Sequence, residues 1–205
     1  DTMAGLKLCF GPAPPPLPIL IYYHLLLGLF MSLFDASTSI RPARASDCSS
    51  LAALSIEVWL GTYIRDGVNA FFADYVLAHY TTEQFSKALN DPNEKLLVWQ
   101  TSNGIAGYIR VSHNLPCPCE HPSKTEITTL YVQPRHHGKG IGQELLNAGL
   151  SLCQELGWDT PWLATNSENE PALRFYAKHG FAIIGQTHFE IEDQRYCNEV
   201  LIPDR

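Results

Sequence analysis

The chain is poor in positive charge. Of its 205 residues, 14 are Lys or Arg and 21 are Asp or Glu, so the formal net charge is -7. Proteins that bind a nucleic-acid backbone usually carry an excess of Lys and Arg, because phosphate contacts supply most of the affinity. The charge balance argues weakly against a nucleic-acid partner and is compatible with a cationic substrate. Apolar residues make up 45% and charged residues 17%, a composition typical of globular proteins.

Regularly spaced cysteines are also lacking. The six cysteines stand at positions 9, 48, 117, 119, 153 and 197, which excludes the disulfide framework of a small secreted domain. The stretch Cys117–His121, CPCEH, resembles a metal site, but zinc sites usually need a second pair of ligands at a distance and no second pair is present. We interpret this stretch as a loop. We predict no bound metal, reduced thiols and a cytoplasmic location.

The chain has one long uncharged run, Ile19–Phe34, but it is shorter than the roughly 20 residues that span a bilayer. A stiff proline-rich segment, Pro12–Pro18, precedes it, and no clear small-residue cleavage site follows. We expect residues 1–36 to be an extension that is non-native or upstream of a natural start near Met31. A membrane anchor is the alternative. Globular patterning begins at residue 37 and continues to residue 205.

Apolar periodicity in this second region predicts alternating strands and helices. Strands are expected at Thr38–Ala43, Lys95–Ser102, Ile105–Ser112, Thr125–Gln133, Pro161–Asn166, Ala182–Glu190 and Arg195–Leu201. Helices are expected from Asp47 as N-cap to about Ile64, over Val68–Asn90 with a break near Thr81, from the glycines to about Leu156, and over Asn169–Phe181. Asn103-Gly104 predicts a tight hairpin turn. We expect one continuous mixed sheet flanked by helices, an α/β or α+β fold.

The stretch YVQPRHHGKGIGQELL places three glycines between a strand and a helix, at positions 138, 140 and 142. A Walker A loop is excluded because Gln133 stands where its first glycine is required, and Gly140 follows Lys139. The spacing is also one residue short of a dinucleotide-binding fingerprint. Backbone N–H groups at a helix N-terminus do form anion sites, and Lys139 adds positive charge. The alternative is a tight turn with solvated glycines.

A second motif follows about 30 residues later: Asn169, Ala172, Phe175, Tyr176, Gly180 and Phe181. Together with Val132-Gln133-Pro134 and the glycine loop, it resembles the signatures of the GNAT acetyltransferase superfamily. The family's Arg/Gln-x-x-Gly-x-Gly/Ala motif falls on His137 to Gly142, with His in place of Arg or Gln. The resemblance covers roughly Ile40 to Ile202 and implies a GNAT fold with a mixed, mostly antiparallel sheet.

The resemblance implies that acetyl-CoA is the cosubstrate. Tyr176 would be the general acid that protonates the leaving thiolate, and Glu126 the general base for the amine. Asn169 would hydrogen-bond the pantetheine arm or cap its own helix. The implied cofactor-binding residues are Leu130, Tyr131, Val132, His137, Gly138, Lys139, Gly140, Ile141, Gly142 and Asn169. His136, His179 and His188 are interpreted as surface or structural residues.

The sequence says least about the acceptor, the molecule that would receive the acetyl group. LSIEVWLGTY (Leu54–Tyr63) and the C-terminal THFEI…DQRYCNEVLI resemble bacterial spermidine/spermine acetyltransferases of the PaiA type. Glu57, Asp66 and Asp74 would then serve a polyamine, or they are solvated helix charges. A small primary amine is the expected partner, and the family resemblance allows a homodimer. Alternatives are a protein amine as acceptor and a coenzyme A sensor without turnover.

Overall fold

The computed structural model describes residues 39–64 and 66–204. The predicted N-terminal extension and the predicted start at Met31 lie outside these residues, so the domain boundary stays a prediction. The described part has seven strands, five α-helices and two short 3-10 turns, one before the first helix and one before the glycine loop. Each predicted strand and helix is found, with shifts of a few residues at most ends.

The strands form two antiparallel sheets. The first has the order β1-β2-β3-β4 and the second the order β5-β7-β6. Their bounds are β1 Ser39–Pro42, β2 Glu94–Thr101, β3 Gly104–His113, β4 Thr125–Val132, β5 Leu163–Asn166, β6 Phe181–Ile191 and β7 Gln194–Pro203. A single parallel bridge between Glu126 and Trp162 joins the sheets. The prediction of one continuous sheet is therefore wrong, because β4 and β5 separate beyond that bridge; the mixed, mostly antiparallel fold class is confirmed.

The helices are α1 Cys48–Tyr63, α2 Ala70–His79, α3 Thr82–Asn90, α4 Ile141–Glu155 and α5 Glu170–Lys178. The predicted break near Thr81 is confirmed, since the Thr81 hydroxyl accepts a hydrogen bond from the Gln84 amide and starts α3. Asp47 is the N-cap residue of α1, as predicted, but its side chain makes no capping hydrogen bond to the helix. Its carboxylate instead binds the Arg41 guanidinium, at 2.6 Å, and the Arg44 amide.

Two helix layers enclose the first sheet. On one face α4 and α5 bury Ile109 and Val111 of β3 with Leu145 and Leu146 of α4. On the opposite face, α1 and α3 cover β2 and β3, and the buried residues there are Leu51, Leu54, Val58, Phe85, Leu96, Val98 and Tyr108. A third cluster, around Trp59, Val76 and Ile191, packs α1 and α2 against the β6–β7 hairpin.

Two predicted details shift by a few residues. The β2–β3 turn consists of Ser102 and Asn103, because Gly104 pairs with Thr101 and opens β3. Leu156 is not on the buried face of α4 and is 41% exposed. The helix ends at Glu155, and Gly157, with φ of 67°, turns the chain away.

Candidate active site

The strands β4 and β5 diverge where the two sheets meet, and we call the gap between them the opening. The Ile127 amide donates to the Trp162 carbonyl and the Trp162 amide donates to the Thr125 carbonyl, but β4 continues to Val132 paired only with β3. The Gln133 amide donates toward β3, to Ala106. Because backbone groups alternate sides along a strand, the N–H groups of Leu130 and Val132 point away from β3, into the opening.

The glycine loop stands at the end of this opening. Gly138 and Gly140 have φ of 74° and 83°, and a Cβ at either position would meet only open space. These two glycines are therefore required for the left-handed backbone, which ordinary residues rarely adopt. Gly140 is the N-cap of α4 and provides no side-chain cap, so the first amides of the helix are left for another acceptor.

Gly142 has a different role from the other two glycines. It lies inside the first turn of α4, where a Cβ would lie 3.5 Å from the Phe175 ring. This close approach brings α4 against α5, the helix that carries Tyr176. Ile141 is buried in the core below, so the loop is anchored on one side and exposed from His137 to Gly140 on the other.

The His137 ring is bonded to the loop itself. Its Nε2 donates to the Val132 carbonyl, with 2.8 Å between nitrogen and oxygen. This contact closes the turn between β4 and α4 and engages one of the two ring nitrogens of His137. Binding of the ring to a diphosphate stays a prediction. The Lys139 side chain is exposed beside the open amides.

Helix α5 presents the second motif on its inner face. The Asn169 side chain accepts from the Ala172 amide and caps the helix, so the capping role predicted for Asn169 is present and its amide nitrogen remains as a donor. Asn166, the predicted competitor, accepts from the Glu168 amide instead. Tyr176 is buried against Phe181, with ring centroids 5.6 Å apart. Burial raises the pKa of Tyr176 well above its usual range, and the nearby Tyr63 raises it further.

Glu126 lies at the point where the two sheets part. It pairs with Ser112, which pairs on its other side with Glu94, so the three side chains share one face of the sheet. Burial and then the neighbouring Glu94 carboxylate raise the pKa of Glu126 to about 7, and Arg110 acts in the opposite direction. A carboxyl group that titrates near neutral pH can accept a proton from an incoming ammonium.

Glu94 is held by two donors. Arg110 Nε and Ser112 Oγ each lie 2.7 Å from Glu94 Oε2. The sequence analysis missed these three residues, because no local signal marks them: Glu94 comes directly after a turn, and the others occupy the polar end of an otherwise apolar strand. Only the strand register brings them beside Glu126.

A group of tyrosines extends from β4 to the helices α1 and α2. Tyr80 and Tyr131 pack on the α1–α3 face of the first sheet, and Tyr75 packs in the cluster around Trp59. We call Tyr63, Tyr75, Tyr80 and Tyr131 the tyrosine cluster. The hydroxyls of Tyr80 and Tyr131 are 3.2 Å apart. Tyr63, at the end of α1, lies close enough to raise the pKa of each of the other three, in addition to burial, and that of Tyr176 as well.

Glu57 does not have a free carboxylate. Gln133 Nε2 donates to Glu57 Oε2 at 2.6 Å, and Arg135 Nη1 lies 2.7 Å from Oε1. These contacts tie α1 to the segment that leads into the glycine loop. Asp66 and Asp74, the other two acidic residues considered for a polyamine, are exposed.

Neither a metal site nor a membrane span is found in the described part of the chain. Among these residues no group of three or more His, Cys, Asp or Glu side chains is placed to hold a metal ion. Cys117 packs instead against Trp162 and Val200. No helix within the described ranges is both long enough and apolar enough to cross a bilayer.

Comparison with known proteins settles the family. The model of the acetyltransferase (GNAT) family matches residues 62–181, a range that contains the opening, the glycine loop and the whole of the second motif, Asn169 to Phe181. The chain belongs to the GNAT family. An uncharacterised GNAT relative, an N-acetyltransferase of Mycobacterium tuberculosis, is 30% identical over 119 residues, which cover 58% of this chain and 72% of the relative. The chain is thus a GNAT N-acetyltransferase.

Other similarities are partial or structural. Streptothricin acetyltransferase of Streptomyces lavendulae is 32% identical over 81 residues, 40% of this chain and 40% of that protein. The PaiA N-acetyltransferase of Thermoplasma acidophilum, solved in complex with coenzyme A, aligns with a TM-score of 0.63 at 19% identity, over 80% of this chain and 98% of that chain. At this identity the likeness concerns the GNAT fold alone.

Proposed function

We propose that the protein transfers the acetyl group of acetyl-CoA to a small primary amine, with Glu126 as general base and Tyr176 as general acid. The observation that carries the proposal is the opening between β4 and β5. Free backbone groups of β4 line it, the open amides of the glycine loop stand at its end, and Glu126 lies where the sheets part. The pantetheine arm would bind along β4 like an added strand, with the diphosphate at Gly138–Gly142.

The chemistry presents two proton-transfer problems. An amine with a pKa near 10.4 is neutral in only about one molecule in two thousand at pH 7, so a base must remove its proton. Glu126 is ionised in a substantial fraction near neutral pH. The thiolate leaves more readily when it receives a hydrogen bond or proton. The raised pKa of Tyr176 keeps its hydroxyl protonated and favours hydrogen bonding to the departing sulfur over complete proton transfer.

Free thiol release from acetyl-CoA in the presence of an amine panel tests this function. Tyr176→Phe is expected to lower kcat by roughly 10²-fold, since acid–base groups contribute about that much or more, and to leave coenzyme A affinity unchanged by calorimetry. An unaltered rate would show that Tyr176 is not the acid. Coenzyme A binding with no turnover of any amine would instead favour the sensor alternative.

The polyamine acceptor suggested by the sequence has limited support. A PaiA protein shares the fold, and Asp66, which follows α1, and Asp74 of α2 are exposed. Glu57, the third acidic residue, is already paired with Gln133 and Arg135. A small amine remains the proposed class, with an amine on a protein as the alternative that the same panel can include as a peptide.

A further inference from the structure

The acceptor must reach Glu126, the proposed base, which by strand alternation lies on the face of the first sheet opposite α4. Tyr80 and Tyr131 of the tyrosine cluster pack on that same face. Trp59 extends the cluster, since its ring centroid lies 4.9 Å from that of Tyr63 and 5.3 Å from that of Tyr75. The surroundings of the acceptor are therefore aromatic.

Several of these rings are only partly covered. Tyr63 is 38% exposed, and Phe72, Tyr75, Phe189 and Tyr196 are half-buried. Phe189 and Tyr196 pair across the β6–β7 hairpin, and Phe189 packs edge-on against Tyr75 at 5.7 Å. Incompletely covered ring faces bind alkyl or aryl groups, and their π-electrons attract an ammonium ion.

An independent observation comes from β7. Asn198 pairs with Asn166 on one side and Thr187 on the other, and by strand alternation it shares a face with Tyr196, two residues earlier. Its Oδ1 is buried and has no hydrogen-bond partner in the part of the chain that the structure describes. Buried polar atoms nearly always have a hydrogen-bond partner. The unpaired oxygen of Asn198, which lies beside the aromatic rings, is therefore suited to accept a hydrogen bond from a ligand.

The carboxylates around this face are already engaged or solvated. Glu57 is paired with Gln133 and Arg135, Glu94 with Arg110 and Ser112, and Glu126 is needed as the base. Asp66 and Asp74 are exposed to solvent. A substrate with several ammonium groups would bury at least one without a counter-charge, which is costly. We propose, on the basis of the function proposed above, that the acceptor is a monoamine on an apolar or aromatic body, with the body against the tyrosine cluster and an N–H donated to Asn198 Oδ1.

A matched pair of amines tests the substrate class. n-Hexylamine and 1,6-diaminohexane have the same carbon chain and differ by one ammonium group; 2-phenylethylamine adds an aromatic body. With saturating acetyl-CoA and the full chain, kcat/KM for hexylamine and phenylethylamine is expected to exceed that for the diamine by about tenfold or more. A preference for the diamine would overturn the proposal while leaving the acetyltransferase function intact. Coenzyme A binding without turnover of any amine would contradict both.

Asn198→Leu tests the unpaired oxygen. Because the substitution removes a buried, unsatisfied acceptor, the melting temperature without ligand should rise. The KM for 2-phenylethylamine should rise about tenfold with the loss of one hydrogen bond to a charged donor, and coenzyme A affinity should not change. The matched control is Cys197→Ser, on the other face of the same strand. A lower melting temperature with an unchanged KM would show that Asn198 is structural and overturn its assignment.

Discussion

The pKa of Glu126 is raised because its carboxyl group is buried and because the Glu94 carboxylate lies nearby. If Glu126 is the base, kcat/KM should rise with pH through an apparent pKa near 7, on top of the steady increase due to the amine itself. Glu94→Gln removes the neighbouring negative charge and leaves Arg110 without its partner. Both changes favour the ionised form of Glu126, so the apparent pKa should fall, as measured by the pH dependence of thiol release.

A control for this shift is Glu83→Gln. Glu83 is an exposed carboxylate on α3 that pairs with Lys87, and its replacement should leave the pH profile unchanged. If Glu94→Gln and Glu83→Gln give the same profile as the unmodified protein, then Glu126 does not determine the rising limb. The amine or another group would then have to account for it.

The same raised pKa has a consequence for stability. The carboxyl of Glu126 titrates near its ordinary value of 4.5 in the unfolded chain and at about 7 in the fold. Folding therefore disfavours the ionised form, and stability is lost as the pH rises from about 4.5 to 7. Glu126→Gln should remove this loss. Thermal unfolding is expected to show little difference at pH 4.5 and a more stable variant at pH 8; a constant difference would contradict the raised pKa.

At the scale of elements, the glycines of the loop divide into two kinds. Gly138 has φ of 74° with open space around it, whereas Gly142 is helical and lies near Phe175. Gly138→Ala should cost about 1–2 kcal/mol because a Cβ disfavours the left-handed conformation. Gly142→Ala should be neutral or stabilising by up to about 1 kcal/mol, because alanine has the higher helix propensity and its Cβ would meet Phe175 at an ordinary contact distance. Urea unfolding of both variants measures this order, and the reverse order would contradict it.

Much of the element pattern could be predicted from the sequence. Strand and helix positions follow apolar periodicity, and Thr81 and Gly180 mark helix ends by their own chemistry. The way in which these strands and helices contact one another could not be predicted from apolar periodicity. Periodicity does not show that β4 and β5 share only the Glu126–Trp162 bridge, nor that the Asp47 carboxylate prefers Arg41 to its own helix. The first outcome depends on a contact between segments distant in the chain, and the second on a side-chain pair that helix-capping rules do not consider.

The same limit applies to the candidate site. The glycine loop, Asn169 and Tyr176 are local motifs, so they were found from the sequence. Glu94, Arg110 and Ser112 come together with Glu126 only through strand register. Asn198 carries no local signal at all, because its unpaired oxygen is a property of packing. The residues that would tune the base and select the amine are thus the ones that sequence reasoning missed.

For the whole molecule, the segment that leads into the glycine loop is tied to α1. Glu57 of α1 contacts Gln133 and Arg135, just before the loop, while Gly142 packs α4 against α5. A ligand held at the loop therefore contacts a segment braced by helices on both faces of the first sheet. Ligand binding at this segment should accordingly stabilise the domain as a unit and not the loop alone.

Coenzyme A should therefore raise the melting temperature of the protein. A ligand at about 100 times its Kd stabilises the fold by about 2.7 kcal/mol. In a domain of this size each kcal/mol shifts the melting temperature by roughly 2–4 °C, so a rise of about 5–10 °C is expected from differential scanning fluorimetry. Gly138→Ala should reduce this rise by weakening the loop, and Glu83→Gln, a substitution of an exposed carboxylate on α3, should not. The absence of any shift at saturating coenzyme A would contradict the proposed function at its first step, because no transfer can occur without a bound acyl carrier.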